Sequence, residues 1–245
     1  MLFRSLATEK ALSITIIDVP EPLAVDSVRM PEGRPYRAGE PLQFTIVLTR
    51  PVIVTGKPSI AIVAGGGAKA AVYVAGSGTN TLVFQYVVGR RDNAASVVLG
   101  STIRLPTSRT DIRDASGARL PLHVPGGVVP EARLDTIPPK AVAIAVPAPR
   151  TYRPGDIVRF SVVFSENVVV NGTPALILSL DRRIVRGATY VAGSGTRTLV
   201  FDYVVQPGDS AARGPKMSAA ISLNGGSIVD AAGNGAALAI RPPVL

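Results

Sequence analysis

Apolar and polar residues alternate along most of this chain in short runs. Residues 42–48 set Leu42, Phe44, Ile46 and Leu48 on one face and Gln43, Thr45 and Val47 on the other. Residues 82–88 set Leu82, Phe84, Tyr86 and Val88 against Val83, Gln85 and Val87. Residues 158–164 and 199–205 repeat the design, with Phe160, Val162 and Phe164, then Leu199, Phe201, Tyr203 and Val205, on the apolar side. A period of two is that of a strand with one buried face. Shorter runs at 52–54, 59–63, 69–75, 96–104 and 120–124 predict further strands. So do 168–170, 175–180, 187–192 and 238–240. Turns rich in Gly, Pro, Asn or Asp separate them, and Asn171-Gly172 is the strongest hairpin signal. Seven or so short strands in each half predict an all-β chain of two Greek-key β-sandwiches.

The halves are copies. YVAGSGTNTLVFQYVV at 73–88 returns at 190–205 as YVAGSGTRTLVFDYVV, a spacing of 190 − 73 = 117 residues. Only Asn80/Arg197 and Gln85/Asp202 differ, and residues 85 and 202 share an outward position. The spacing is that of a domain, not of a solenoid. Expected bounds are 1–22 for an N-terminal strand and connector, 23–130 for the first sandwich and 131–245 for the second. Residues 124–139, rich in Pro and Gly, read as the junction.

Residues 11–17, ALSITII, form a lone alternating strand with Leu12, Ile14 and Ile16 on one face. Two readings are open. The strand closes a sandwich whose remainder is absent, or it completes the sheet edge of a neighbouring subunit through main-chain hydrogen bonds. The second makes the chain part of a homo-oligomer or a larger assembly.

Composition narrows the chemistry. There is no cysteine, which removes disulfides and thiolate metal sites, and the one histidine, His123, cannot build a multi-histidine site. The net charge of +9 is spread along the chain, +4 over residues 21–135 and +5 over 136–245. Specific nucleic-acid binders concentrate their charge and interleave aromatics, and neither is seen here. No apolar run reaches the ~20 residues of a membrane span. The opening ten residues lack the apolar core of a secretory signal.

Several motifs recur in fixed order: Tyr152-x-x-Gly155-Asp156, Val163-Phe164-Ser165-Glu166-Asn167-Val168, Gly172-Thr173-Pro174, Ala192-Gly193-Ser194-Gly195-Thr196 and Asp230-x-x-Gly233-Asn234. The pattern resembles a family of bacterial Ig-like tandem repeats found in large surface and adhesin-type proteins. It covers residues 140–242 and, with erosion, 25–124. Arg50-Pro51 stands where the second copy has Glu166-Asn167, and Ala118 where it has Asn234. The resemblance implies two Ig-like sandwiches that space, stiffen or present, and it implies no reaction.

Candidate chemistry is sparse. Asp156, Glu166, Asp202, Asp209, Asp230 and Asn234 are oxygen donors, and calcium takes six to eight oxygens. No dense Asp-x-Asp-x-Asp loop is present, and Asx residues beside glycine also build turns. Calcium is therefore the one cofactor considered, with Asp156, Glu166, Asp209, Asp230 and Asn234 as its candidate ligands. Arg90-Arg91 and Arg182-Arg183-x-x-Arg186 protect strand edges or meet a phosphate or glycan. Ser77 and Ser194 lie in Gly-Ser-Gly turns without a repeated base, so neither reads as a nucleophile. Tyr36 and Tyr152 suit anchors at a sandwich corner. The expected function is non-enzymatic: assembly or adhesion through Leu12, Ile14, Ile16, Arg182, Arg183 and Arg186. Expected settings are the bacterial cell surface or, alternatively, a virion as a capsid decoration or tail protein, or a filament of which the chain is the subunit. A calcium-dependent carbohydrate-binding module is a third reading.

Overall fold

The computed structural model describes residues 21–212 and 214–241, so the strand expected at 11–17, with Leu12, Ile14 and Ile16, lies outside the described residues. The first half holds β1 (Val25–Arg29), β2 (Pro35–Tyr36), β3 (Pro41–Thr55), β4 (Ser59–Val63), β5 (Ala68–Ala75), β6 (Thr79–Val87), β7 (Val97–Arg104), β8 (Asp111–Asp114), β9 (Gly127–Val129) and β10 (Arg133–Leu134). The second holds β11 (Ala141–Ala145), β12 (Ile157–Asn171), β13 (Ala175–Ser179), β14 (Val185–Ala192), β15 (Thr196–Val204), β16 (Lys216–Ser222) and β17 (Ser227–Val229). The fold is all-β, with two curled antiparallel sheets that each enclose a core.

Strand order is β1-β3-β6-β5-β4-β7-β9 in the first sheet and β11-β12-β15-β14-β13-β16 in the second. Two hairpins carry the chain from β4 to β6, and β6 returns beside β3, which is the Greek key. The register pairs the expected apolar rows: Phe44 with Phe84, Ile46 with Leu82, Phe160 with Phe201 and Val162 with Leu199. Phe44, Phe84, Phe160, Phe164 and Phe201 are fully buried. Each such side chain contributes about 1.5–3 kcal/mol of burial.

Three expectations change. The separate strands at 42–48 and 52–54 are one element, β3, and those at 158–164 and 168–170 are β12. The chain stays extended through Thr49-Arg50-Pro51, but the register with β6 breaks there and the far half pairs with β8. Proline is tolerated at such an irregularity because the ladder is already interrupted. The strand expected at 120–124 makes only the isolated bridge Thr102–His123, beside Arg113–Arg119, and that expected at 238–240 only the bridge Ala220–Ala239, although Leu120, Val124 and Ile240 are buried. The stretch expected to be a plain junction folds as β9 and β10. Val129, Ala132 and Leu134 join the first core, so the first sandwich runs to Leu134 rather than to 130. Among the described residues no helix is long and apolar enough to cross a membrane.

Candidate functional site

The repeated motif is a clamp on the long strand. Gly76 and Gly193 have φ of +112° and +109°, and a Cβ there would overlap the carbonyl oxygens of Thr81 and Thr198. Only glycine fits both demands. The turn they open lets the Ser77 and Ser194 hydroxyls accept from Val54 N and Val170 N, both at 3.0 Å. Tyr73 and Tyr190 hydroxyls accept from the Ser77 and Ser194 amides. Both serines are thus bound to main chain at the point where β3 and β12 change partners. The outward exchange also has a partner: Gln43 donates to Gln85 in one sheet, and Arg159 makes two bonds to Asp202 in the other.

A second pair of constellations was not foreseen. Asp92 accepts from the Tyr86 hydroxyl, the Lys69 ammonium and Gly89 N. Asp209 likewise accepts from the Tyr203 hydroxyl, the Arg186 guanidinium and Gln206 N. Burial raises the Asp92 carboxyl, but Lys69, Tyr86 and Gly89 together outweigh it and hold the group below the usual carboxylate range. The signal was in the repeat: Lys69/Arg186, Tyr86/Tyr203 and Asp92/Asp209 all keep the spacing of 117. Two of the calcium and interaction candidates, Asp209 and Arg186, thus bind each other. Asp156 holds Arg153 N at 3.0 Å and Arg150 at 3.4 Å, at the start of β12. Tyr36 and Tyr152 donate to carbonyls four residues upstream, Glu32 O and Ala148 O. Arg182, Arg183 and His123 are exposed.

One cluster gathers oxygen donors. Carboxylate oxygens of Asp135, Glu166 and Asp230 lie within 4.8 Å of one another. Asp135 leaves β10 with its amide bonded to Tyr36 O, Glu166 sits at the bend of β12, and Asp230 follows β17. Asp230 is 3% exposed, and its Oδ1 accepts from Ala232 N and Asn234 N at 2.8 Å. Asn234 donates its side-chain amide to Asp230 Oδ2 and to Asp135 O. Burial first, then Asp135 and Asp230, push the Glu166 carboxyl above its ordinary range. Chemically this is a set of hard oxygens that gains by sharing a proton or by meeting a hard cation. Of the expected calcium ligands, the fold unites Glu166, Asp230 and Asn234. It adds Asp135, which no motif marked, and leaves Asp156 and Asp209 elsewhere.

The cluster stands at the junction. Arg37 of the first sandwich donates to Gly233 O at 2.8 Å, Ala237 N donates to Pro139 O, and Lys140 bridges Ala237. No family model matches the chain, and no curated protein does. The functional reading therefore rests on this geometry and on the sequence pattern.

Proposed function

We propose that the protein is a non-enzymatic structural and interaction protein whose two Ig-like sandwiches serve assembly or adhesion through exterior surfaces and sheet edges. The observation that carries this reading is the bonded junction. Asp135, Arg37 and Asn234 tie the sandwiches in series, as a spacer or rod requires. Three acids support it too, since Asp92, Asp114 and Asp209 are each paired with a cation within their own sandwich. Its partners are subunits of the same or a larger assembly, joined by donation of the N-terminal strand. A surface glycan is a further partner. The setting is the bacterial cell surface by resemblance, with the virion as alternative; labelled antibody on intact cells and on purified virions separates them. Sedimentation of the full chain against a chain lacking residues 1–20 tests the assembly. An oligomer lost on deletion is expected, and an unchanged monomer in both would end the strand-donation reading.

A second reading follows from the carboxylates of Asp135, Glu166 and Asp230: calcium stiffens the junction, with or without a bound carbohydrate. A native-state ligand raises stability by about 2.7 kcal/mol at a hundred times its Kd. Calcium should raise the melting temperature of the second sandwich and chelator should reverse it. A melting curve indifferent to both would dismiss the ion.

A further inference from the structure

The two sandwiches close differently at the end marked by the corner tyrosine. In the first, β9 pairs with β7 through Val97–Val129 and Leu99–Gly127, and β10 lies parallel to β2 with Leu134 opposite Tyr36. Leu134 also exchanges both main-chain bonds with Ala94. Tyr36 and Val88 are left 3% and 2% exposed. In the second sandwich the sheet path stops at β16. Residues 219–221 bond to 238–240, but among the described residues nothing pairs with the outer edge of Lys216 and Met217. The position of β10 is a groove of about 660 Å³ lined by Tyr152, Phe160, Tyr203, Val205 and Ala211. Tyr152 and Val205, the counterparts of Tyr36 and Val88, stay partly exposed.

We infer that this groove and the free edge of β16 are the acceptor for residues 12–18 of a second copy of this chain. The inference rests on the strand-donation reading above and names where the strand goes. Sandwich 1 supplies the template: Leu134-Asp135 fills the equivalent place, and Pro138-Pro139 then leads into β11. Ile17-Asp18 is followed by Pro20 and Pro22 and leads into β1 in the same way. Leu134 stands seven residues before Ala141, and Ile17 eight before Val25. A second copy docked so would repeat the junction between the two sandwiches at every contact, giving an open head-to-tail filament.

The same chain cannot supply the strand. Pro22 and Ala24 bond to Thr49, eight residues along β3 from the end that faces the second sandwich. The acceptor lies a further eight strand residues beyond the bend of β12. Laid end to end those two stretches measure about 50 Å, whereas the nine residues from Leu12 to Glu21 reach about 30 Å.

Two full-length variants test this by sedimentation. Ile17→Asp spoils the donor, and Ala211→Trp fills the acceptor, with Ala212→Trp as a second filler should the first melt early. The expected result is a concentration-dependent ladder for the wild type, one-chain species for each variant alone, and two-chain species only for the equimolar mixture. Assembly lost in Ile17→Asp but intact in both fillers overturns the acceptor and leaves donation standing. Assembly intact in Ile17→Asp, or a monomeric wild type, overturns both.

Discussion

The loops that follow β8 and β17 hold the same acid in opposite company. Asp114 Oδ1 accepts from Ser116 N, the Ser116 hydroxyl and Ala118 N, and Arg50 sits 3.1 Å from its other oxygen. Asp230 keeps the main-chain bonds, but the residue equivalent to Arg50 is Glu166, and Asp135 adds a third carboxylate. One fold therefore carries a self-neutralised turn in the first sandwich and an acid-rich turn at the junction. The lesson is that the repeated backbone bonds hold the turn, while one residue on the bend of the long strand sets its charge.

The largest expected effect asks whether the two bodies are separate. Phe84→Ala and Phe201→Ala should each cost about 3–5 kcal/mol. Hydrogen exchange should place each loss in its own sandwich, and a loss shared equally would make the chain one cooperative unit. Next comes the turn itself. Asp230→Ala leaves Ala232 N and Asn234 N without their acceptor and should cost about 2–3 kcal/mol, read in denaturant melts. Asp114→Ala should destabilise the first sandwich in the same direction.

A smaller effect comes from swapping the partners. Glu166→Arg transplants the first arrangement into the second and should stabilise it by up to about 1 kcal/mol while removing any calcium response. Arg50→Glu should lower the melting temperature of the first sandwich. Equal signs for the two swaps would refute the charge contrast. The smallest is a pH effect. With its carboxyl raised, folded Glu166 keeps a proton that the unfolded chain has released. Its contribution is present below the unfolded value of about 4.3 and fades as pH rises through the folded one. Asp114, lowered chiefly by the Ser116 hydroxyl, runs the other way: its contribution is present above the unfolded range and fades as pH falls. Glu166→Gln should therefore stabilise the second sandwich at neutral pH and change nothing at pH 4.

Much of the fold was legible because burial on one face enforces period two. Leu82/Phe84 and Leu199/Phe201 could be placed inward from sequence, and they are buried. The fusion of two runs into β3 was hidden, because Arg50-Pro51 reads locally as a break while pairing with β6 and then β8 keeps the backbone extended. β9 and β10 were hidden for the converse reason. Gly126, Gly127 and Pro130 resemble linker composition, and only the open end of the first core recruits Val129 and Leu134 as its cover. Within the cluster, Glu166, Asp230 and Asn234 stood in motifs. Asp135 did not, since its role depends on two bodies meeting.

Sequence alone determined the all-β class, the duplicated strand order and the inward rows, because these follow from local alternation and from one stretch written twice. Tertiary structure decided which acids are bound within a sandwich and which meet at the junction. Those depend on residues far apart in the chain arriving within a few ångströms, and no local pattern encodes that distance.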